Sequence, residues 1–154
     1  MNIYTDGSFF KRGNKIYCGY GICFGKKEYK DISKPFKGKN PTNNRAELYA
    51  IYKALKICSK KFKDLEEVNI YSDSEYSIKI FTEWLEKWIK NKKEYLNKDI
   101  IDKIKKLLDE NDFKVNFIHI NSHTGKKDNH SLNNNRADEL AREGALRLEA
   151  KRRN

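Results

Sequence analysis

Cysteine is scarce in this 154-residue chain: Cys18, Cys23 and Cys58 are odd in number and lack the paired spacing of metal ligands. A disulfide framework and a paired-cysteine zinc site are thereby excluded, and the three thiols read as reduced and mostly buried in an intracellular protein. No apolar run approaches membrane length, and Met1 leads straight into a β-prone stretch with no apolar signal region. A soluble, cytoplasmic protein is expected, with nuclear or organellar residence left open. Internal repeats are absent, as is any low-complexity segment beyond a bias toward lysine and asparagine. There is little room for a second domain, and 38% hydrophobic with 12% aromatic residues fits one domain with a proper core.

Acids are short as well. Against 33 Lys+Arg stand 22 Asp+Glu, a formal net charge of +11. That excess points to a polyanionic partner, nucleic acid before an acidic membrane surface, with a merely lysine-rich solvated surface as the plain alternative.

The acids that are present occupy telling positions. In Asn2-Ile3-Tyr4-Thr5-Asp6-Gly7-Ser8 a carboxylate sits inside a β-prone run, where it is disfavoured unless something pairs with it. Lys15 to Phe24 and Glu28 to Phe36 continue the strand pattern, giving an antiparallel meander broken by Pro41. A helix from Thr42 to about Lys60 follows, with Glu47 in the same row as Ile51, Ala54 and Cys58, so a carboxylate lies at the edge of the apolar face. Val68 to Ser72 is a strand with Asp73 at its carboxyl end, where ligand groups commonly gather. Helices are expected over Tyr76–Phe81, Thr82 to about Lys92 and Lys98–Glu110, then a strand over Phe113–Ile120 and a polar loop over Asn121–Asn134. The last helix opens at Asn135, and Asp138 heads its apolar row of Ala141, Ala145 and Leu148.

Each acid alone has an ordinary explanation. Asn44 with Glu47 fits a capping box, Asp73 can cap the helix after it, and Asp138 can complement a helix N-terminus. Together, four acids on a strand, a helix start, a strand end and another helix start can converge at one end of a sheet. Such a cluster cannot stay ionised without cations and calls for oxygen-loving Mg²⁺ or Mn²⁺. Two ions about 3.5–4 Å apart can hold a phosphodiester, activate a water and stabilise the departing oxygen. Trp84 and Trp88, one turn apart among Lys87, Lys90, Lys92 and Lys93, suit a nucleic-acid strand, a core stripe being the alternative.

Thr5-Asp6-Gly7-Ser8, Thr42-Asn43-Asn44-Arg45-Ala46-Glu47-Leu48, Tyr71-Ser72-Asp73-Ser74, and His123 followed by Arg136-Ala137-Asp138-Glu139-Leu140-Ala141 resemble the motifs of type 1 ribonuclease H, in the family's order and over almost the whole chain. The resemblance implies an α/β ribonuclease H-like fold, a five-stranded mixed sheet in order 3-2-1-4-5 with helices on both faces. It implies an endonuclease that hydrolyses the RNA strand of RNA–DNA hybrids and leaves 5′-phosphate and 3′-hydroxyl ends. Asp6, Glu47, Asp73 and Asp138 would be the catalytic acids holding two Mg²⁺, with Mn²⁺ a possible substitute, and His123 would assist proton transfer or product release. Asn43, Asn44, Gly7 and Ser8 would bind the RNA strand and read its 2′-hydroxyls. Thr42 and Asn97 would bind a phosphate of the DNA strand, with Tyr76, Trp84 and Trp88 lining the channel for its sugars.

The chain also departs from the family pattern. Its basic handle between Trp88 and Asn97 is short, and Lys39 and Asn40 stand where an arginine is expected. The loop from His123 to Asp138 is long, which leaves His123 and His130 both as candidates to reach the metals. Residues 1–148 are expected to form the catalytic domain and 149–154 a charged tail, the whole acting as a monomer. With no amino-terminal hybrid-binding module, processivity should be low. Competing readings are a related nuclease acting on DNA, a catalytically silent hybrid-binding module and a purely structural basic protein. The Thr42–Leu48 motif and the full set of four acids argue against them.

Overall fold

The structure is a computed structural model that describes residues 1–122 and 124–153, with side chains described as far as Arg147. β1 (Asn2–Arg12) and β2 (Lys15–Cys23) form an antiparallel hairpin in which Asp6 lies opposite Gly21. β3 (Ile32–Pro35) joins β2 antiparallel, while β4 (Glu67–Ser72) runs parallel to β1 and β5 (Lys114–His119) parallel to β4. The sheet order is β3-β2-β1-β4-β5, as expected. β3 is shorter than its β-prone sequence predicts, because the chain is still turning after Gly25 (φ 69°), with Tyr29 N donating to Lys26 O at 3.2 Å.

The helices are α1 (Asn43–Lys61), α2 (Glu75–Lys79), α3 (Leu85–Lys90), α4 (Lys98–Glu110) and α5 (Asn129–Arg153). Alternation along β1 sends Ile3 to one face and Tyr4 to the other. Ile3 joins Ile22, Leu48, Ile51, Leu55, Ile70, Ile101 and Ile104 in the main core beneath α1 and α4. Tyr4 joins Cys23, Ala137 and Leu140 beneath α5. Burying each aliphatic side chain contributes roughly 1.5–3 kcal/mol. All three cysteines are buried and none is disulfide-bonded. Among the described residues no helix is long and apolar enough to cross a membrane.

Gly7 and Gly21 let helix backbones rest directly on the sheet at the level of Asp6. A Cβ at Gly7 would lie 2.4 Å from Glu47 N, and one at Gly21 would lie 2.5 Å from Ala137 O. α1 and α5 are thus clamped to opposite faces at the level of Asp6, and each carries one of the sequence's singled-out acids to that level.

Four helix boundaries differ from the sequence reading. α5 starts at Asn129 rather than Asn135, with Leu132 N donating to Asp128 O at 3.0 Å in its first turn. The inner face of this extension is polar: Asn134 is 2% exposed and Asn133 accepts from the Cys23 thiol at 3.6 Å, so no apolar period marks it. α2 and α3 are one continuous rod joined by a π-helical turn, Ile80–Trp84, rather than two helices meeting at Phe81 and Thr82. α1 is capped by Thr42, whose Oγ1 accepts from Arg45 N at 3.0 Å, so Asn44 and Glu47 form no capping box. α5 also continues past Leu148 to Arg153.

Candidate active site

β1 and β4 are parallel neighbours from which the chain leaves to opposite sides, so a crevice opens beyond their carboxyl ends, where ligands of such sheets bind. Their pairing ends at Tyr4 opposite Tyr71. Asp6 lies just past that point on β1, and Asp73 directly follows β4. Glu47 reaches the same place from the first turns of α1, over the space that Gly7 leaves. Ligand oxygens of Asp6, Glu47 and Asp73 all lie within 4.8 Å of one another. Asp138 stands outside this trio, yet its charge still acts on Asp6.

The helix ends remove the ordinary explanations for these acids. α1 is capped by Thr42, not through Glu47. α2 is capped by Ser74, whose Oγ accepts from Ser77 N at 3.2 Å, not by Asp73. α5 begins at Asn129, so Asp138 lies beyond the first turn, where a helix end no longer rewards a negative charge.

Asp6 and Glu47 are each 3% exposed. Burial, reinforced by the Asp73 and Asp138 charges, pushes the Asp6 carboxyl up to about 8, although Glu47 and the Gly7 amide, which donates to Oδ1 at 2.9 Å, oppose the shift. Burial and the neighbouring Asp6 push Glu47 up as well. Glu47 Oε2 is buried without a hydrogen-bond partner. An orphaned carboxylate oxygen among converging acids is the donor set a hard divalent cation takes, so the residues fit Mg²⁺ or Mn²⁺.

Beside the acids, Arg45 is buried in the first turn of α1. It pairs with Asp99 through both guanidinium nitrogens, at 2.9 and 2.7 Å, and donates to Asn97 Oδ1 at 3.3 Å and to Lys39 O at 3.0 Å. Asn97 donates in turn to the Tyr76 hydroxyl at 3.0 Å. Tyr76 then heads a ladder of rings: Trp84 at 6.1 Å, Trp88 5.8 Å further and Tyr95 5.2 Å beyond. On an uninterrupted α-helix, eight residues would set Tyr76 and Trp84 about 80° apart. The π turn absorbs about one residue and leaves about 20°, which aligns the ridge. The rings are half-buried against the main core, so the core-stripe reading of the tryptophans holds in part.

A family model for RNase H matches residues 1–146. The chain belongs to the ribonuclease H family. It is 36% identical over 150 residues to the Ribonuclease H of Schizosaccharomyces pombe, spanning 93% of this chain and 52% of that protein. Against the Ribonuclease H of Campylobacter jejuni it is 35% identical over 149 residues, spanning 96% and 92%. The crystal structure of LC11-RNase H1 in complex with RNA/DNA hybrid matches at 26% identity with a TM-score of 0.63, covering 96% of this chain and 97% of that one.

Within this ribonuclease H, Gly7 and Ser8 of β1 stand beside the α1 start that carries the exposed Asn43 and Asn44, so the four residues expected to meet RNA flank the acids. Thr42, Asn97 and Tyr76 are brought together through Arg45. His123 lies outside the described residues. His130, expected in a loop, sits in the first turn of α5, its Nδ1 2.6 Å from the Tyr4 hydroxyl and its ring 4.6 Å from that of Tyr71. It is engaged there and is not part of the acid trio. Sequence reasoning missed Tyr95 and the role of Arg45. An arginine inside a motif that packs on a strand needs a buried partner, and that was the available signal for Arg45; the spacing of Tyr95 from Trp88 carries none.

Proposed function

We propose that this ribonuclease H cleaves the RNA strand of RNA–DNA hybrids endonucleolytically, leaving 5′-phosphate and 3′-hydroxyl ends, with two divalent cations held by Asp6, Glu47, Asp73 and Asp138. The observation that carries this reading is the convergence of three acids within 4.8 Å with Glu47 Oε2 orphaned. When bound, the cations supply an activated water and neutralise charge at the departing oxygen. The buried walls around Asp6 and Glu47 exclude bulk water and strengthen their pull on a cation. Asn43, Asn44, Gly7 and Ser8 contact the RNA strand and its 2′-hydroxyls, the feature that separates RNA from DNA. Thr42 and Asn97 take a phosphate of the DNA strand, and Tyr76, Trp84 and Trp88 pack on its sugars. His123 exchanges a proton at the cleavage site or aids product release. A relative with RNA/DNA hybrid bound supports the choice of substrate. Residues 1–148 form the catalytic unit, active as a monomer.

The test is cleavage of an end-labelled RNA–DNA hybrid with Mg²⁺ or Mn²⁺, beside EDTA, single-stranded RNA, RNA duplex and DNA duplex controls, for wild type and Asp73→Asn. Metal-dependent cutting confined to the RNA of the hybrid, and lost in the variant, is expected. Binding without cutting under both metals would instead make the chain a silent hybrid-binding module, and cutting of the DNA duplex would make it a general nuclease.

A further inference from the structure

The structure assigns to Arg45 the role of a positioning residue: it orients Asn97, and through it Tyr76, so that the groove beside α1 presents only hydrogen-bond donors to a backbone phosphate of the uncut strand. This rests on the hybrid-cleavage reading above and extends it to a residue that touches neither strand. Arginine has donors only, so the Asn97 oxygen must face Arg45 Nη1 and the amide NH₂ must face away. One N–H of that amide is used on the Tyr76 hydroxyl oxygen, which turns the phenolic proton outward, and the second N–H is left over. Thr42 is set in the same way. Its Oγ1 accepts from Arg45 N, so its hydroxyl proton is free to point outward.

Three outward protons from Thr42, Asn97 and Tyr76 therefore line one groove, a donor set matched to an anionic oxygen and poorly suited to a cation. Asn97 holds φ 61°, a left-handed backbone that costs a non-glycine residue energy and persists only where surroundings fix it. Asp99 completes the device. Its two oxygens hold the guanidinium fork in plane, and Arg45 pulls the Asp99 carboxyl down to about 2, so the pair stays charged near neutral pH. Lys39 O accepts from Nε and holds the guanidinium from the other side.

The test uses the full chain carrying Arg45→Met with Asp99→Leu, an apolar pair that leaves no lone buried charge. Expected are a folded protein, a Mg²⁺-induced rise in Tm equal to that of wild type, kcat within about threefold of wild type, and KM for the hybrid raised about tenfold. In an Asn97→Ala background the same double change should add almost nothing to KM, because Arg45 acts through Asn97. Arg45→Lys, a charge without the fork, should fail to restore KM. Additive KM effects of Asn97→Ala and the double change, or an unchanged KM, would reduce the Arg45–Asp99 pair to a structural ion pair and overturn the assignment. Loss of the Mg²⁺ effect would show that Arg45 supports the acids instead. If wild type itself leaves the hybrid uncut, the hybrid-cleavage reading fails, and equal hybrid binding by wild type and variant would then sink the Arg45 assignment separately.

Discussion

Replacing Glu47 by glutamine should make the metal-free protein more stable while abolishing its activity. Glu47 is 3% exposed, lies within 4.8 Å of two other carboxylates by its ligand oxygen, and has Oε2 unpartnered. Relieving one uncompensated buried charge is worth about 2 kcal/mol, which for a chain of this size is a Tm gain of roughly 4–8 °C in EDTA. The gain should depend on pH. Asp6 titrates near about 8 in the folded protein, against about 3.9 in an unfolded chain. The folded state therefore holds that proton more tightly, a contribution whole below pH about 4 and lost as pH rises through about 8. Glu47 is shifted in the same direction. In EDTA, wild-type stability should fall as the pH rises from 5 to 8, and the Glu47→Gln profile should be flatter. Saturating Mg²⁺ should reverse the ranking, since ligand at 100 times its Kd adds about 2.7 kcal/mol to wild type and far less to the variant. Differential scanning calorimetry at pH 5, 6.5 and 8, with and without Mg²⁺, makes the comparison. A variant no more stable than wild type in EDTA at pH 8, or one that gains as much from Mg²⁺, would refute the idea that the acids are repulsive until a cation joins them.

Gly7→Ala forces a methyl to within 2.4 Å of Glu47 N, so α1 must lift from the sheet; a loss of about 3 kcal/mol by urea denaturation and of most cleavage activity is expected, and wild-type values would show that the close approach is dispensable. Trp88→Ala should weaken hybrid binding by about 1–3 kcal/mol in fluorescence anisotropy and leave single-turnover cleavage at saturation nearly intact, whereas unchanged affinity would confine the ladder to a packing role. His130→Ala should cost stability through its lost contacts with Tyr4 and Tyr71 while leaving kcat within about threefold, and a collapse of kcat would place His130 in the proton path after all.

Much of this was legible in the chain because the decisive residues are local. The Thr42–Leu48 motif puts Thr42, Asn43, Asn44 and Glu47 on adjacent turns of one helix, and Asp73 follows its strand directly, so spacing alone places them. Periodicity found α4 because its inner face is aliphatic, with Ile100, Ile101 and Ile104 buried. It failed at the start of α5 because the face turned inward there is asparagine and histidine. The π turn was invisible for another reason: inserting one residue of rotation leaves each flanking segment reading as an ordinary helix. Thr42 displaced Asn44 as the cap because its hydroxyl lies one turn from Arg45 N, a geometry that two neighbouring asparagines obscure. The Arg45–Asp99 and Tyr4–His130 contacts join residues 54 and 126 positions apart, and single-sequence patterns do not carry such pairings.

The π turn sets the phase of the aromatic ridge to within one residue. Deleting one residue within Ile80–Trp84 would let the rod close as an uninterrupted α-helix that keeps Trp84 within about 20° of Tyr76. Removing one residue from α2 with the π turn kept would instead swing Trp84 and Trp88 about 100° away from Tyr76, with the acids of the sheet untouched. On the proposed reading of the ridge as a surface for the hybrid, grip and cutting can therefore drift apart in evolution by one-residue insertions or deletions, without a passage through inactive catalytic centres.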